Sequence, residues 1–145
     1  MTETTTKKIK PKTSALFAKF ATDSDREEAG IWVNFGEGIK VKVRRLKSRK
    51  SQEYRKELDK PYTNEIRRGA LDDKTAEDLL IRQIGGGVVA DWSGVEDEDG
   101  TPLPYTAENA IRLLRLLPEF RDAIFAVSVD ADAFKKHIGA EAEKN

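Results

Sequence analysis

The chain has 145 residues, 26 basic and 26 acidic, so its formal net charge is zero, and it contains no cysteine. A length of this order fits one domain that buries roughly two-thirds of the surface its unfolded chain exposes. The charge balance gives no overall drive toward nucleic acid or an anionic membrane. The missing cysteines exclude a disulfide framework and thiolate zinc sites.

Residues 1–13, MTETTTKKIKPKT, are polar and lack the apolar run of a secretory signal, so a disordered arm is expected. No window approaches the roughly 20 apolar residues needed to span a bilayer, and the chain reads as soluble and cytoplasmic. Leu16, Phe17 and Phe20 suit one amphipathic turn docked on the body, followed by a charged connector from Asp23 to Glu28. The period then becomes two. Ile31, Val33 and Phe35 alternate with Trp32 and Asn34, and Ile39, Val41 and Val43 alternate with Lys40, Lys42 and Arg44. With Gly36-Glu37-Gly38 between them, these runs predict a hairpin over about 30–46.

From Ser48 the pattern is helical. A mostly polar helix is expected from Arg49 to Asp59, a short turn through Tyr62 and Ile66, and then the strongest apolar stripe: Ala76, Leu79, Leu80, Ile84 and Val88. An i, i+4 series carries that stripe to Trp92. Gly85-Gly86-Gly87 interrupts it, and each glycine costs a helix interior about 1 kcal/mol relative to alanine. No Gly-Lys-Ser/Thr follows, so a hinge or a close helix contact explains the triplet better than a phosphate loop. Thr106 stands as an N-cap with Glu108 in the first turn, predicting a helix from Ala107 to Leu116. Pro118 ends that helix, a second runs from Glu119 to Val127, and a short last one lies near Ala131 to Ile138. The expected architecture is α+β: an N-terminal β-hairpin packed on a mainly helical body of four to six helices. It forms one domain over 14–138, with a polar tail at 139–145.

Candidate chemistry is thin. An EF-hand register with Gly100 at loop position six puts Val95 and Thr106 where carboxylates are required, so Asp97-Glu98-Asp99-Gly100 reads as a solvated acidic turn. The single histidine, His137, has no partner at relay or ligand spacing. No catalytic residue, metal site or cofactor is assigned. The rival signal is basic. Lys40, Lys42 and Arg44 share a strand face and Arg45 and Lys47 crowd its exit, a ribbon that could follow phosphates or simply be the solvated side of an edge strand. Asp91 to Asp99 is oppositely charged, which suits either internal attraction or head-to-tail self-association.

A helix ending in Asp91-Trp92, then Gly94-Val95, acids with Gly100, Pro102-Leu103-Pro104, Thr106-x-Glu108-Asn109 and a Leu-rich helix: this order resembles the tail assembly chaperones of long-tailed phages. The likeness spans about the last two-thirds of the chain. It implies a non-catalytic host-cytoplasmic protein, absent from the mature virion, that binds the tape measure protein and helps recruit tail tube subunits. Leu113, Leu116, Phe120 and Ile124 are the candidate partner surface, while Asp91, Trp92, Gly100 and Thr106 match the family pattern as flank, anchor, turn and cap. Such chaperones are often made in two lengths by a frame shift, and Glu143-Lys144-Asn145 is compatible with an A-rich slippery run, which sequencing of those codons would check. The alternatives are a tail-completion or connector subunit retained in the virion, or a nucleic-acid-binding accessory protein using the basic hairpin.

Overall fold

The computed structural model describes residues 14–136. The N-terminal arm, the polar tail, His137 and the end of the last expected helix lie outside the described residues.

Ser14 caps helix α1 (Ala15–Phe20), its hydroxyl accepting the Phe17 N–H at 3.2 Å. The helix forms where expected but does not dock: none of its residues is buried. Asp23 caps α2 (Ser24–Ala29), which occupies the stretch read as a connector. A charged six-residue helix is not stable alone. Long-range bonds hold this one, because the Glu28 carboxylate accepts the Arg49 and Lys50 N–H groups at 2.6 and 3.2 Å. Those bonds also close the positive end of α3 (Arg49–Asp59), whose own cap is Ser48.

Strands β1 (Ile31–Gly36) and β2 (Ile39–Val43) form the expected antiparallel hairpin. Both turn residues, Glu37 and Gly38, have positive φ, as a type I′ turn requires. A third strand, β3 (Val89–Ser93), pairs with β2 and makes it the central strand. This corrects the expectation of a helix running to Trp92. The periodicity misled because Val88, just before the strand, and Trp92 within it are both buried though they belong to different elements. A bulge adds to the effect, with Val43 paired to Val89 and Lys42 to Asp91, leaving Ala90 unpaired. Val89 and Trp92, three residues apart, therefore both face inward, and the spacing imitates a helix.

The body after the hairpin contains, among the described residues, α3, α4 (Thr63–Arg67), α5 (Asp73–Gln83), α6 (Ala107–Leu116) and α7 (Pro118–Val129). Pro118, expected only to stop α6, also opens α7, where its missing N–H is harmless. Val41, Val43, Ile84, Val88, Val89, Trp92, Ala110, Leu114 and Ile124 form the core between the inner sheet face and these helices. The 3-10 turn Ala131–Phe134 returns the chain to its beginning: Thr22 bridges Lys135, and Asp23 N–H donates to the Phe134 carbonyl at 2.8 Å.

Between α5 and β3 the glycine triplet sits in a π-helical turn, Ile84–Val88. A Cβ on Gly85 would lie 2.6 Å from Ile111 Cγ1 and 3.0 Å from the Ile111 nitrogen, and one on Gly86 would enter the Tyr54 ring. One on Gly87 would lie 3.1 Å from Ser51 Cα. The triplet is thus where α3 and α6 press directly on backbone. Helix propensity alone predicts that Gly85→Ala stabilises the protein by about 1 kcal/mol. The contact with Ile111 predicts the opposite sign, a loss of about 1–3 kcal/mol from overpacking, readable as a lower urea midpoint.

Candidate functional site

Two features stand out in the second half of the chain: a polar lattice around the π-helical turn, and a groove at the end of α6.

The wide turn leaves backbone carbonyls for side chains to satisfy. The Tyr105 hydroxyl lies 2.9 Å from the Gly85 carbonyl and 2.8 Å from that of Val89, so its one proton serves both. Arg44 donates from Nε to the Glu28 carbonyl at 2.8 Å and from Nη1 to the Gly87 carbonyl at 3.1 Å, and its backbone N–H donates to Val88. Trp92 stacks edge-on against Tyr105, ring centres 5.4 Å apart, and donates from Nε1 to the Leu103 carbonyl at 2.8 Å. The indole thereby fastens the proline-framed connector onto the sheet. Burial pushes the Tyr105 phenol up to about 12.

Leu103 N–H in turn donates to Val95, and Asp97 N–H to Thr101, so Val95 to Leu103 doubles back as a small loop. Gly100 takes φ 86° at its tip. Asp97 binds Arg112 of α6 through both carboxylate oxygens, at 3.3 and 2.8 Å. That guanidinium holds the Asp97 carboxyl below the usual carboxylate range. Thr106 caps α6, its hydroxyl accepting the Asn109 N–H at 3.0 Å. The loop and helix together bound a groove of about 380 Å³, walled by Glu96, Asp97 and Glu98 on one side and Leu113, Leu116 and Leu117 on the other.

The expected partner residues do not share one surface. Leu113 and Ile124 are core, 6% and 0% exposed, whereas Leu116 is 62% exposed. Phe120 is half-buried, edge-on to Phe35 at 6.0 Å. Leu113 reaches the groove floor only. Leu117, at 49% exposure, belongs to the site although its place beside Pro118 gave no signal in the sequence beyond a run of leucines. Glu96 and Glu98 were visible only as members of an acidic turn.

The basic ribbon also divides. Lys40 and Lys47 are exposed, and Lys42 lies 5.9 Å over the Trp32 ring on the outer sheet face. Arg44 is turned to the internal carbonyls. Arg45 pairs with Glu27 at 3.5 Å and covers the Phe134 ring at 5.8 Å. Asp91 faces outward, opposite Lys42, and accepts the Trp92 N–H at 2.8 Å. Among the described residues no group of acidic or imidazole side chains is arranged to hold a metal ion, and no helix is long and apolar enough to cross a membrane.

The family model described as YdaY prophage protein matches residues 46–145. This chain belongs to the YdaY prophage protein family. No curated protein and no solved structure matches it. The YdaY match includes the glycine turn, β3, the acidic loop and the groove, but begins after β2. The hairpin that completes the core therefore lies outside the family-defining segment.

The buried phenol gives a pH test. A raised folded-state value means stability that is full below the ordinary tyrosine range, near pH 10, and lost as pH rises toward about 12. Tyr105→Phe should be less stable than wild type at pH 8, with the gap narrowing between pH 10 and 12 in urea titrations. A constant gap would mean that the phenol does not titrate with unfolding.

Proposed function

We propose that this YdaY-family chain is a non-catalytic phage tail assembly chaperone that binds the tape measure protein and helps recruit tail tube subunits. The observation that carries the reading is the groove: two solvent-facing leucines, Leu116 and Leu117, beside Glu96 and Glu98, carboxylates with no ion pair among the described residues, on a chain of phage origin. Such a surface fits an apolar helical stripe with basic flanks, the helix-in-groove mode of recognition. The residues of the chaperone resemblance support it further. Trp92, Gly100 and Thr106 act on one connected piece of chain, as clamp, loop tip and helix cap, and that piece shapes the groove. Chaperones of this kind work in the host cytoplasm and leave before the particle is complete.

Co-expression with the tape measure protein of the same prophage tests the reading. The tape measure protein should become soluble and co-purify with the chain. Leu116→Asp with Leu117→Asp, at exposed positions, should weaken the complex by about 100-fold or more while leaving the fold intact, given about 1.5–3 kcal/mol per buried leucine. An insoluble tape measure protein that never co-purifies would sink the chaperone role. Presence of the chain in purified particles would instead make it a virion subunit joined through its edge strands β1 and β3.

A further inference from the structure

We propose that copies of this chain associate head to tail, helix α1 of one copy seating in the acid-walled leucine groove of the next. The inference gives the groove an occupant when no client is bound, and it does not depend on the chaperone reading.

Helix α1 is the most exposed apolar element in the described structure. Leu16, Phe17 and Phe20 are 63%, 63% and 71% exposed and, with Ala21, line a shallow apolar concavity of about 330 Å³. An isolated six-residue helix does not persist in water, so a face this apolar is stabilised by being covered.

Charge selects the cover. Lys19 lies on α1, and Lys7, Lys8, Lys10 and Lys12 precede it in the sequence without an intervening base-neutralising acid. The groove presents the opposite sign. Arg112 neutralises Asp97, but Glu96 and Glu98 are exposed and make no ion pair among the described residues. Leucines and carboxylates on one side thus match phenylalanines, a leucine and lysines on the other.

Geometry makes the contact intermolecular. The Thr22–Lys135 bridge and the Asp23–Phe134 bond hold the root of α1 beside the turn that follows α7. Leu116 and Leu117 adjoin Pro118, at the opposite end of α7. That helix has 12 residues, about 18 Å, whereas α1 has six, about 9 Å, with only Ala21 between it and the bridge. Helix α1 is shorter than that separation, and none of its residues lines the groove of its own chain. Donor and acceptor at separate ends define a heterologous contact, which repeats into a ring or an open chain.

The full-length purified chain tests this by analytical ultracentrifugation. At low salt, wild type should grow beyond a dimer with concentration, and 0.5 M salt should weaken association roughly tenfold by screening the lysine–carboxylate contacts. Leu16→Asp with Phe20→Asp removes the donor, and Leu116→Asp with Leu117→Asp removes the acceptor. Each variant alone should be a monomer with wild-type circular dichroism. Mixed, they should form a 1:1 dimer that grows no further, because one intact donor meets one intact acceptor. A wild type that stays monomeric at millimolar concentration overturns the proposal. So does a groove variant that still associates, since α1 would then pair with α1. No client is present in these measurements, so neither result alters the outcome of the tape measure co-expression.

Discussion

The rest of the molecule depends on the direct contact of two helices with the backbone of Gly85-Gly86-Gly87. Ser51 and Tyr54 of α3 approach from one side and Ile111 of α6 from another, at distances where an added Cβ would force a neighbour to shift. A regular helix through this point would hold its carbonyls in its own ladder. The π-helical turn instead leaves the carbonyls of Gly85 and Gly87 to Tyr105 and Arg44, side chains remote in sequence, and Tyr105 also reaches the carbonyl of Val89 at the start of β3. Backbone packing and backbone satisfaction are therefore coupled: the glycines admit the helices, and the residues that bond the freed carbonyls fix the elements flanking the turn.

This coupling extends to the surface. Tyr105 is held by the turn, Trp92 packs on Tyr105, and the indole N–H holds Leu103. The connector is thus set at two points before α6 begins, and Asp97 adds a third by gripping Arg112. The exposed Asp97–Arg112 pair contributes little to stability, as surface pairs generally do. Its consequence is positional: it holds the acidic loop alongside the leucine end of α6, and a groove exists because the two walls are tied together.

Sequence patterns expose local structure well and long-range compensation poorly. The hairpin, the helix from Arg49 and the capped helix from Ala107 were legible, and the glycine triplet was readable as either a hinge or a close contact, because turn residues, N-caps and apolar periods act over a few positions. What was hidden was set at a distance. Helix α2 needs Glu28 to reach Arg49, a bond 21 residues long. Strand β3 needs a bulge at Ala90, which restores an i, i+3 spacing to two inward residues and so mimics a helix. The candidate site suffered similarly. Leu113 and Ile124 share a helical face with exposed residues in any one-dimensional reading, and only the packing of α6 against α7 and the π-helical turn decides which are core. Arg44 looked like part of a basic stripe because nothing local reveals that its acceptors belong to Glu28 and Gly87.

The exposed apolar residues are not a by-product of these compromises. The core closes without α1, which buries none of its residues, and without Leu116 and Leu117, which lie outside the core cluster. Replacing them with polar residues would therefore open no cavity in that core. Scattered single apolar residues on a surface require no special account. Here they are grouped at two sites beside opposite ends of one helix, one with Lys19 and one with Glu96 and Glu98, which make no ion pair among the described residues. Both sites are apolar, the formal charge beside them is opposite in sign, and neither belongs to the buried cluster on which the fold rests.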